Sequence, residues 1–332
     1  MLSDRRHIVL RALIEEYIKY AVPVGSRTLV DRYNLGFSSA TIRNELSYLE
    51  NQGYLSQPHT SAGRIPTDFG YRAFVDELLE SLPETEVRVE EFSRIRQTAL
   101  EIDDLIEQTK QALMNFTDCL SLIIPPRLIS LDVLKVSLVA LTPSRLLMVI
   151  ISKDGQVFDR HIELPQRYTD AEIVKAESIL NEVFAQQTLN KETFPILQRR
   201  IENNELYRLL VKEMIKALED KDQQHIQPSG VSNLLHKPEF QDSSRILPVL
   251  EQLEKNTILM EVMDEAIKSD APVVRIGSEN GAAALTGVSL IASKFGVDDN
   301  MGLIAIVGPT RMNYSQVLKA VRAAKDVLQQ DE

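Results

Sequence analysis

Apolar positions across residues 4–21 recur with helical period. Ile8, Leu10, Ala12, Leu13, Ile14, Tyr17 and Ile18 form a broad face, and Ser3 or Asp4 can cap its start. Pro23 ends the helix, because proline disfavours the helical conformation in the residue before it. "GSRTLVDRY" predicts a second, short helix capped by Ser26, with Leu29, Val30 and Tyr33 facing inward. "NLG" is a corner in which Asn34 and Gly36 both tolerate left-handed backbone. Ser38 then caps a third helix whose buried stripe is Ile42, Leu46 and Leu49, at spacings of four and three. Gly53 stops it. The period then changes to two. "YLSQP" predicts a short strand, "HTSAG" a loop tip with Gly63 for the turn, and "RIPT" a return strand, with Pro58 and Pro66 at its margins. The order helix, helix, helix, hairpin predicts a winged helix-turn-helix over residues 1–80.

Beyond it, "FGYRAFVDELLE" predicts a helix leaving the hairpin, and Pro83 with its acidic neighbours breaks the period. Phe92, Ile95, Ala99, Ile102, Ile106, Thr109, Leu113, Phe116 and Leu120 then recur at threes and fours. That predicts one long helix packed on a core, with Ala99 and Thr109 weak for a dedicated coiled coil. "LDVLKVSLVAL", "RLLMVIIS" and "GQVFDRHIEL" predict strands, with "TPS" and "KDG" as turns and Asp154-Gly155 as a hairpin signal. "TDAEIVKAESILNEVFAQQ" and "ENNELYRLLVKEMIKALED" predict amphipathic helices, and "HIQP" a strand. One or two helices follow in "ILPVLEQLEKNTILMEVMDEAIKS", then strands in "PVVRIGSE", "LTGVSLIASKF" and "MGLIAIVGP". A last helix is capped by Asn313. Antiparallel hairpins mixed with helices indicate a multidomain α+β chain. The helical, polar stretch 160–230 splits two strand groups, as an inserted domain would.

Length and composition fit a soluble globular protein of two or three domains. No stretch reaches the about 18 consecutive apolar residues of a membrane span, and charges interrupt the would-be apolar core of a signal peptide at the amino terminus. The single cysteine, Cys119, has no disulfide partner in the chain and reads as a small buried residue. These features point to a cytoplasmic protein. The net charge is −11, yet residues 1–75 hold nine Lys/Arg against seven acids, a net +2 that leaves −13 for the rest. The amino-terminal end is thus the part suited to anions.

The chemistry follows from that asymmetry. Ser38 and Ser39 open the third helix with free backbone N–H groups that favour phosphate. Thr41, Arg43 and Asn44 project away from the Ile42–Leu46–Leu49 stripe; Arg reads guanine and Asn adenine through paired hydrogen bonds. His59, Thr60, Ser61 and Arg64 put hydrogen-bonding groups on a small-residue tip able to approach a duplex closely. Pattern alone leaves open a winged helix that binds protein, or one that regulates an enzyme. No catalytic, cofactor or metal constellation supports the enzyme. The five histidines lack ligand spacing, and "GSENGAAALTG" lacks a phosphate-loop pattern and reads as a loop between strands. "GPTRMNY" sits where a strand meets a helix: Thr310, Arg311 and the helix start could hold an anion, while the preferred expectation is a turn in which Arg311 pairs with a local acid.

"PVGSRTL", "SSATIRNEL", "LENQGYLSQPHTSAGRIPTDFGYRAFVD", "IGSEN" and "GPTRMNY", in this order, resemble the heat-inducible transcription repressors of the HrcA family. The resemblance is close over the first 76 residues and covers essentially the whole chain. It implies three units. A winged helix occupies 1–80. A GAF-like α/β domain with a leading long helix occupies 81–159 and 231–332. A smaller inserted α+β dimerisation domain occupies 160–230. It implies a non-enzymatic homodimer that represses chaperonin and related operons by binding double-stranded DNA at an inverted-repeat operator, CIRCE, with activity supported by the chaperonin GroEL. The competing expectation is a winged-helix regulator whose GAF-like domain senses a small metabolite.

Overall fold

The computed structural model describes residues 2–59, 62–81, 89–99, 102–125, 130–153, 155–185, 189–190, 205–224, 229–254, 257–297 and 300–329. Its amino-terminal part runs α1 (Asp4–Tyr20), α2 (Ser26–Arg32), α3 (Ser39–Asn51), β1 (Leu55–Ser56), β2 (Ile65–Pro66) and α4 (Asp68–Glu80). The expected stripe is the buried one: Ile42, Leu46 and Leu49 of α3 pack with Leu13 and Ile14 of α1 and Leu29 of α2. β1 and β2 pair antiparallel, Leu55 opposite Pro66 and Ser56 opposite Ile65, and Val24 adds a bridge to Arg64 at the ribbon's base. Three local expectations fail. Gly25, not Ser26, holds the N-cap position of α2, and no side chain caps that helix; Ile8 of α1 and Val30 of α2, expected on the apolar faces, are exposed.

The stripe from Phe92 to Leu120 does not form one long helix. It is divided among α5 (Glu90–Ser93), α6 (Ile95–Thr98) and α7 (Ile102–Thr117), with Ala99 in extended backbone and Leu120 already in a strand. In a straight helix Phe92 and Phe116 would stand about 36 Å apart; here their rings meet edge-on at 6.5 Å. Spacings of three and four fit a helix folded back on itself as well as a straight one, so the pattern could not tell them apart. Arg96 holds the fold-back by donating to the Asp326 and Val327 carbonyls at 2.8 and 2.9 Å.

The chain continues through β3 (Leu120–Ile124), β4 (Ser130–Leu131), β5 (Val133–Thr142), β6 (Arg145–Ser152), β7 (Val157–Glu163), α8 (Asp170–Phe184), β8 (Leu189–Asn190), α9 (Glu205–Gln224), α10 (Val231–Leu235), α11 (Ser243–Glu254), α12 (Thr257–Lys268), β9 (Val273–Ile276), β10 (Val288–Val297), β11 (Asn300–Pro309) and α13 (Tyr314–Leu328). The "HIQP" strand expected at 225–228, the break at Pro83 and the Asp154 half of the hairpin signal lie outside the described residues.

A four-stranded antiparallel sheet has the order β3-β11-β10-β9. Alternation along β11 sends Ile304 and Ile306 to one face, against α13 and α7, and Leu303, Ala305 and Val307 to the other, against α11 and α12. The first of these cores runs without interruption into that of α1–α4.

A second sheet, β5-β6-β7, has its own core: Val136, Met148, Ile150, Phe158 and Ile162 pack with Leu180 of α8 and with Leu210 and Met214 of α9. The division expected at residue 160 therefore cuts through β7. Strands 133–163 share their core with the helices that follow, not with the four-stranded sheet. Period-two alternation marks a strand but not its partner. The outer face of this sheet is mixed: Val139 lies opposite Leu147 and Ile151 opposite Val157, but Lys135, Asp159 and His161 share the same face; Val139 and Val157 are exposed.

Candidate DNA-binding surface

The amino end of α3 is built by its own cap. The Ser38 side chain accepts from the Thr41 backbone N–H at 3.1 Å, and the two hydroxyls lie 2.9 Å apart. Ser39 Oγ meets Ser26 Oγ at 3.1 Å, so the starts of α2 and α3 are joined side by side. Arg43 and Asn44 are exposed on the next turn, and neither bonds to a described residue. Opposite them, Glu45 is buried and receives Arg5 at 2.5 Å and Arg6 at 3.0 Å, and the Arg6 guanidinium stacks over Tyr48 at 3.5 Å. α3 is thus pinned by its inner face and leaves Arg43 and Asn44 free.

The ribbon is held against α3 by a second ion pair. Arg64 donates from Nε and Nη2 to Glu50 at 3.2 and 2.9 Å, and its side chain is only 17% exposed. Arg64, expected to face DNA, thus joins the ribbon's base to the end of α3. Glu50 takes Arg64, not the Arg43 that sequence spacing also allowed. His59 is exposed near the tip, and Gln57 reaches across to the Ala62 carbonyl at 2.8 Å. Thr60 and Ser61 lie outside the described residues.

Sequence reasoning passed over Ser26 and Arg27. Arg27 is exposed, forms no ion pair with a described residue, and sits one position from the Ser26–Ser39 contact. The signal lay in "GSRTL", but reading Ser26 as a cap hid it.

A cleft of about 650 Å³ separates α1 and α4 from the end of β11; Arg11, Lys19, Lys237 and Arg311 line it. Arg11 holds Glu15 and Glu77, Lys237 holds Asp118, and Arg311 holds Glu239, the acid pairing expected of Arg311. Cys119 also lines it, and burial pushes its thiol up to about 11, far from a reactive thiolate. Among the described residues no group of three or more His, Cys, Asp and Glu is arranged to hold a metal, and no helix is long and apolar enough to cross a membrane.

These features define a multidomain α+β protein that carries a small helix-and-ribbon unit on a larger sheet-and-helix body. Residues 103–318 match the family model described as the HrcA protein C terminal domain. Proteins named heat-inducible transcription repressor HrcA from Nocardioides sp. and Thermobifida fusca are each 34% identical to it. The match spans 97% of this chain and 96% and 95% of those proteins. The protein of that name from Brevibacillus brevis is also 34% identical, over 96% of this chain and 94% of its own length. A crystal structure of a hypothetical protein at 2.2 Å resolution superposes with a TM-score of 0.74 at 26% identity, over 99% of this chain and 98% of that one. The chain belongs to the HrcA family of heat-inducible transcription repressors.

Proposed function

We propose that this chain is a non-enzymatic negative regulator of heat-shock transcription that binds an inverted-repeat operator as a homodimer. In this reading α1–α3 and the β1–β2 ribbon are a winged helix-turn-helix. The amino end of α3 enters the major groove, and the ribbon tip lies over the adjacent backbone. Arg43 and Asn44 read bases; Ser38, Ser39 and Thr41 meet phosphate, and His59, Thr60 and Ser61 approach the duplex from the wing. Arg64 sets the wing's angle through Glu50. The observation that carries the reading is the exposed, unpaired Arg43–Asn44 pair on a helix whose two carboxylates, Glu45 and Glu50, are already engaged by arginines from other elements.

The four-stranded sheet with helices on both faces fits a GAF-like domain. The β5–β7 unit with α8 and α9 fits an inserted dimerisation domain, because it has a core of its own and exposes Val139 and Val157 on the outer face of its sheet. Family membership supports a chaperonin operator of the CIRCE type and support by GroEL. A metabolite-sensing reading finds a space in the cleft beside α1. Three of the cleft's four cations are held by acids, so it favours no ligand class.

The test is an anisotropy titration of an inverted-repeat duplex and a scrambled control, with and without GroEL, at stated salt. Arg43→Ala is expected to cost about 1–3 kcal/mol on the operator and much less on the control. Equal losses on both duplexes make Arg43 a phosphate contact and remove its base-reading role.

A further inference from the structure

Three stretches of the chain that DNA contact does not explain meet in space: the start of α4, the turn 277–280 after β9, and the strand-to-helix turn at 309–314. Asp68 accepts from the Ser278 backbone N–H and hydroxyl, both at 2.9 Å. One turn on, Arg72 grips Glu279 with two arms, at 2.9 and 2.5 Å, and donates to the Val274 carbonyl at 2.6 Å and to Asp76 at 3.1 Å. Glu279 is oriented for this by accepting the Ile276 N–H at 2.9 Å. Gly277 is in the left-handed region, φ +51°, and a Cβ there would collide with the Asp68 carboxylate. Beside the latch, the Tyr71 and Tyr314 rings lie 5.7 Å apart, and Arg311 of the third stretch reaches the Ile18 carbonyl at the end of α1.

The latch is coupled to α3 through Thr67, the cap of α4. Its hydroxyl donates to the Gly53 and Tyr54 carbonyls at 2.6 and 3.1 Å, just past the end of α3. A two-armed guanidinium–carboxylate pair constrains direction as well as distance. The α4 start therefore cannot turn on the sheet without carrying the ribbon and α3 with it.

We propose that Asp68 and Arg72, with Ser278 and Glu279, are positioning residues that fix the DNA-binding unit on the sheet, so that the dimer measures the separation of its two half-sites. This rests on the operator reading above. A dimer discriminates half-site spacing only as far as each DNA-binding unit is rigidly carried. Releasing the latch leaves the shared apolar core to hold the unit without a directional restraint, leaves the reading surface intact, and makes spacing less important.

The experiment uses the full-length protein and three duplexes: the inverted repeat, the same repeat with its spacer changed by about five base pairs, half a helical turn, and a single half-site. Wild type is expected to prefer the first duplex over the second by at least about tenfold, the range that linked two-site binding supplies. Arg72→Glu sets like charges against Glu279. It is expected to shrink that preference to about threefold or less while single-half-site affinity stays within about twofold. Arg72→Glu with Glu279→Arg restores opposite charges, though not the bonds to Val274, Asp76 and Ile276, and is expected to recover part of the preference. The proposal is overturned if Arg72→Glu keeps the wild-type preference, if it weakens the half-site and the operator equally, or if the exchanged pair recovers nothing. A wild type that binds the half-site but ignores spacing also overturns it, and leaves DNA binding itself standing. A wild type that binds none of the duplexes sinks the operator reading itself.

Discussion

Gly63→Ala tests whether the ribbon is fastened to the helices at one point. Val24 and Arg64 exchange both backbone hydrogen bonds, Val24 N–H to Arg64 O at 2.9 Å and Arg64 N–H to Val24 O at 2.8 Å. A Cβ on Gly63 would lie 2.5 Å from the Val24 carbonyl carbon, 2.6 Å from its oxygen and 2.7 Å from the Pro23 carbonyl carbon. All three are backbone atoms, so no side chain can swing aside and the strands must separate. Separation forfeits two hydrogen bonds at about 0.5–1.5 kcal/mol each, or about 2 kcal/mol for the bridge. Hydrogen exchange at the Val24 and Arg64 amides should then quicken roughly 30-fold, and operator affinity should fall as the ribbon and Arg64 drift from Glu50. Gly25→Ala is the control. It lies on the same segment with nothing within 4 Å of its Cβ, and at an N-cap it should cost under about 1 kcal/mol. If both amides keep their protection in Gly63→Ala, the bridge does not fasten the ribbon and the reasoning fails.

Ser38→Ala removes the acceptor for the Thr41 N–H and should destabilise the chain by about 1 kcal/mol in denaturant titration, whether or not DNA is present; no change would mean the cap is idle. At acid pH the unit around β5–β7 should weaken through Glu213. Burial alone would raise its carboxyl, but hydrogen bonds from Lys216 and Arg160, at 2.7 and 3.0 Å, outweigh it and hold the group below the ordinary range. A depressed folded pKa contributes stability that is present above the unfolded value, about 4.3, and is lost as pH falls through the folded value. Glu213→Gln should therefore flatten the acid limb of a stability–pH curve, and an unchanged limb would show that other carboxylates govern it.

What the sequence made legible was local. Ser38 as a cap, the Ile42–Leu46–Leu49 stripe and the ribbon after Gly53 each follow from neighbours a few positions apart, and each is present. What it hid was pairing at a distance. Arg64 reads as a loop-tip cation until Glu50, fourteen residues back, is seen to hold it. Arg72 and Glu279 are 207 residues apart and carry no shared local pattern. The fold-back at Ala99 escaped because a 3–4 stripe says which face is apolar, not what covers it. The strands at 133–163 went to the wrong core for the same reason: alternation is identical on both sheets.

Charge shows why positioning matters as much as contact. The amino-terminal 75 residues carry nine Lys/Arg, which suggests a basic surface. Yet Arg5, Arg6, Arg11, Arg32, Arg64 and Arg72 each hold a carboxylate. Among the described residues of that segment, Lys19, Arg27 and Arg43 are left without an acid, and Lys19 lies beside the Tyr20 ring at 5.2 Å. Sequence-independent affinity grows with the number of phosphates that free cations neutralise. A unit with so few of them holds a duplex weakly by electrostatics, and the −13 on the rest of the chain opposes loose association further. In the operator reading proposed above, tight binding then comes from two units seated at once, each with its Arg43 and Asn44 in register. Simultaneous seating multiplies affinity only when geometry permits it. The ion-paired arginines join elements of the unit instead: Arg5 and Arg6 tie α1 to α3, Arg64 ties the ribbon to α3, and Arg72 ties α4 to the turn after β9.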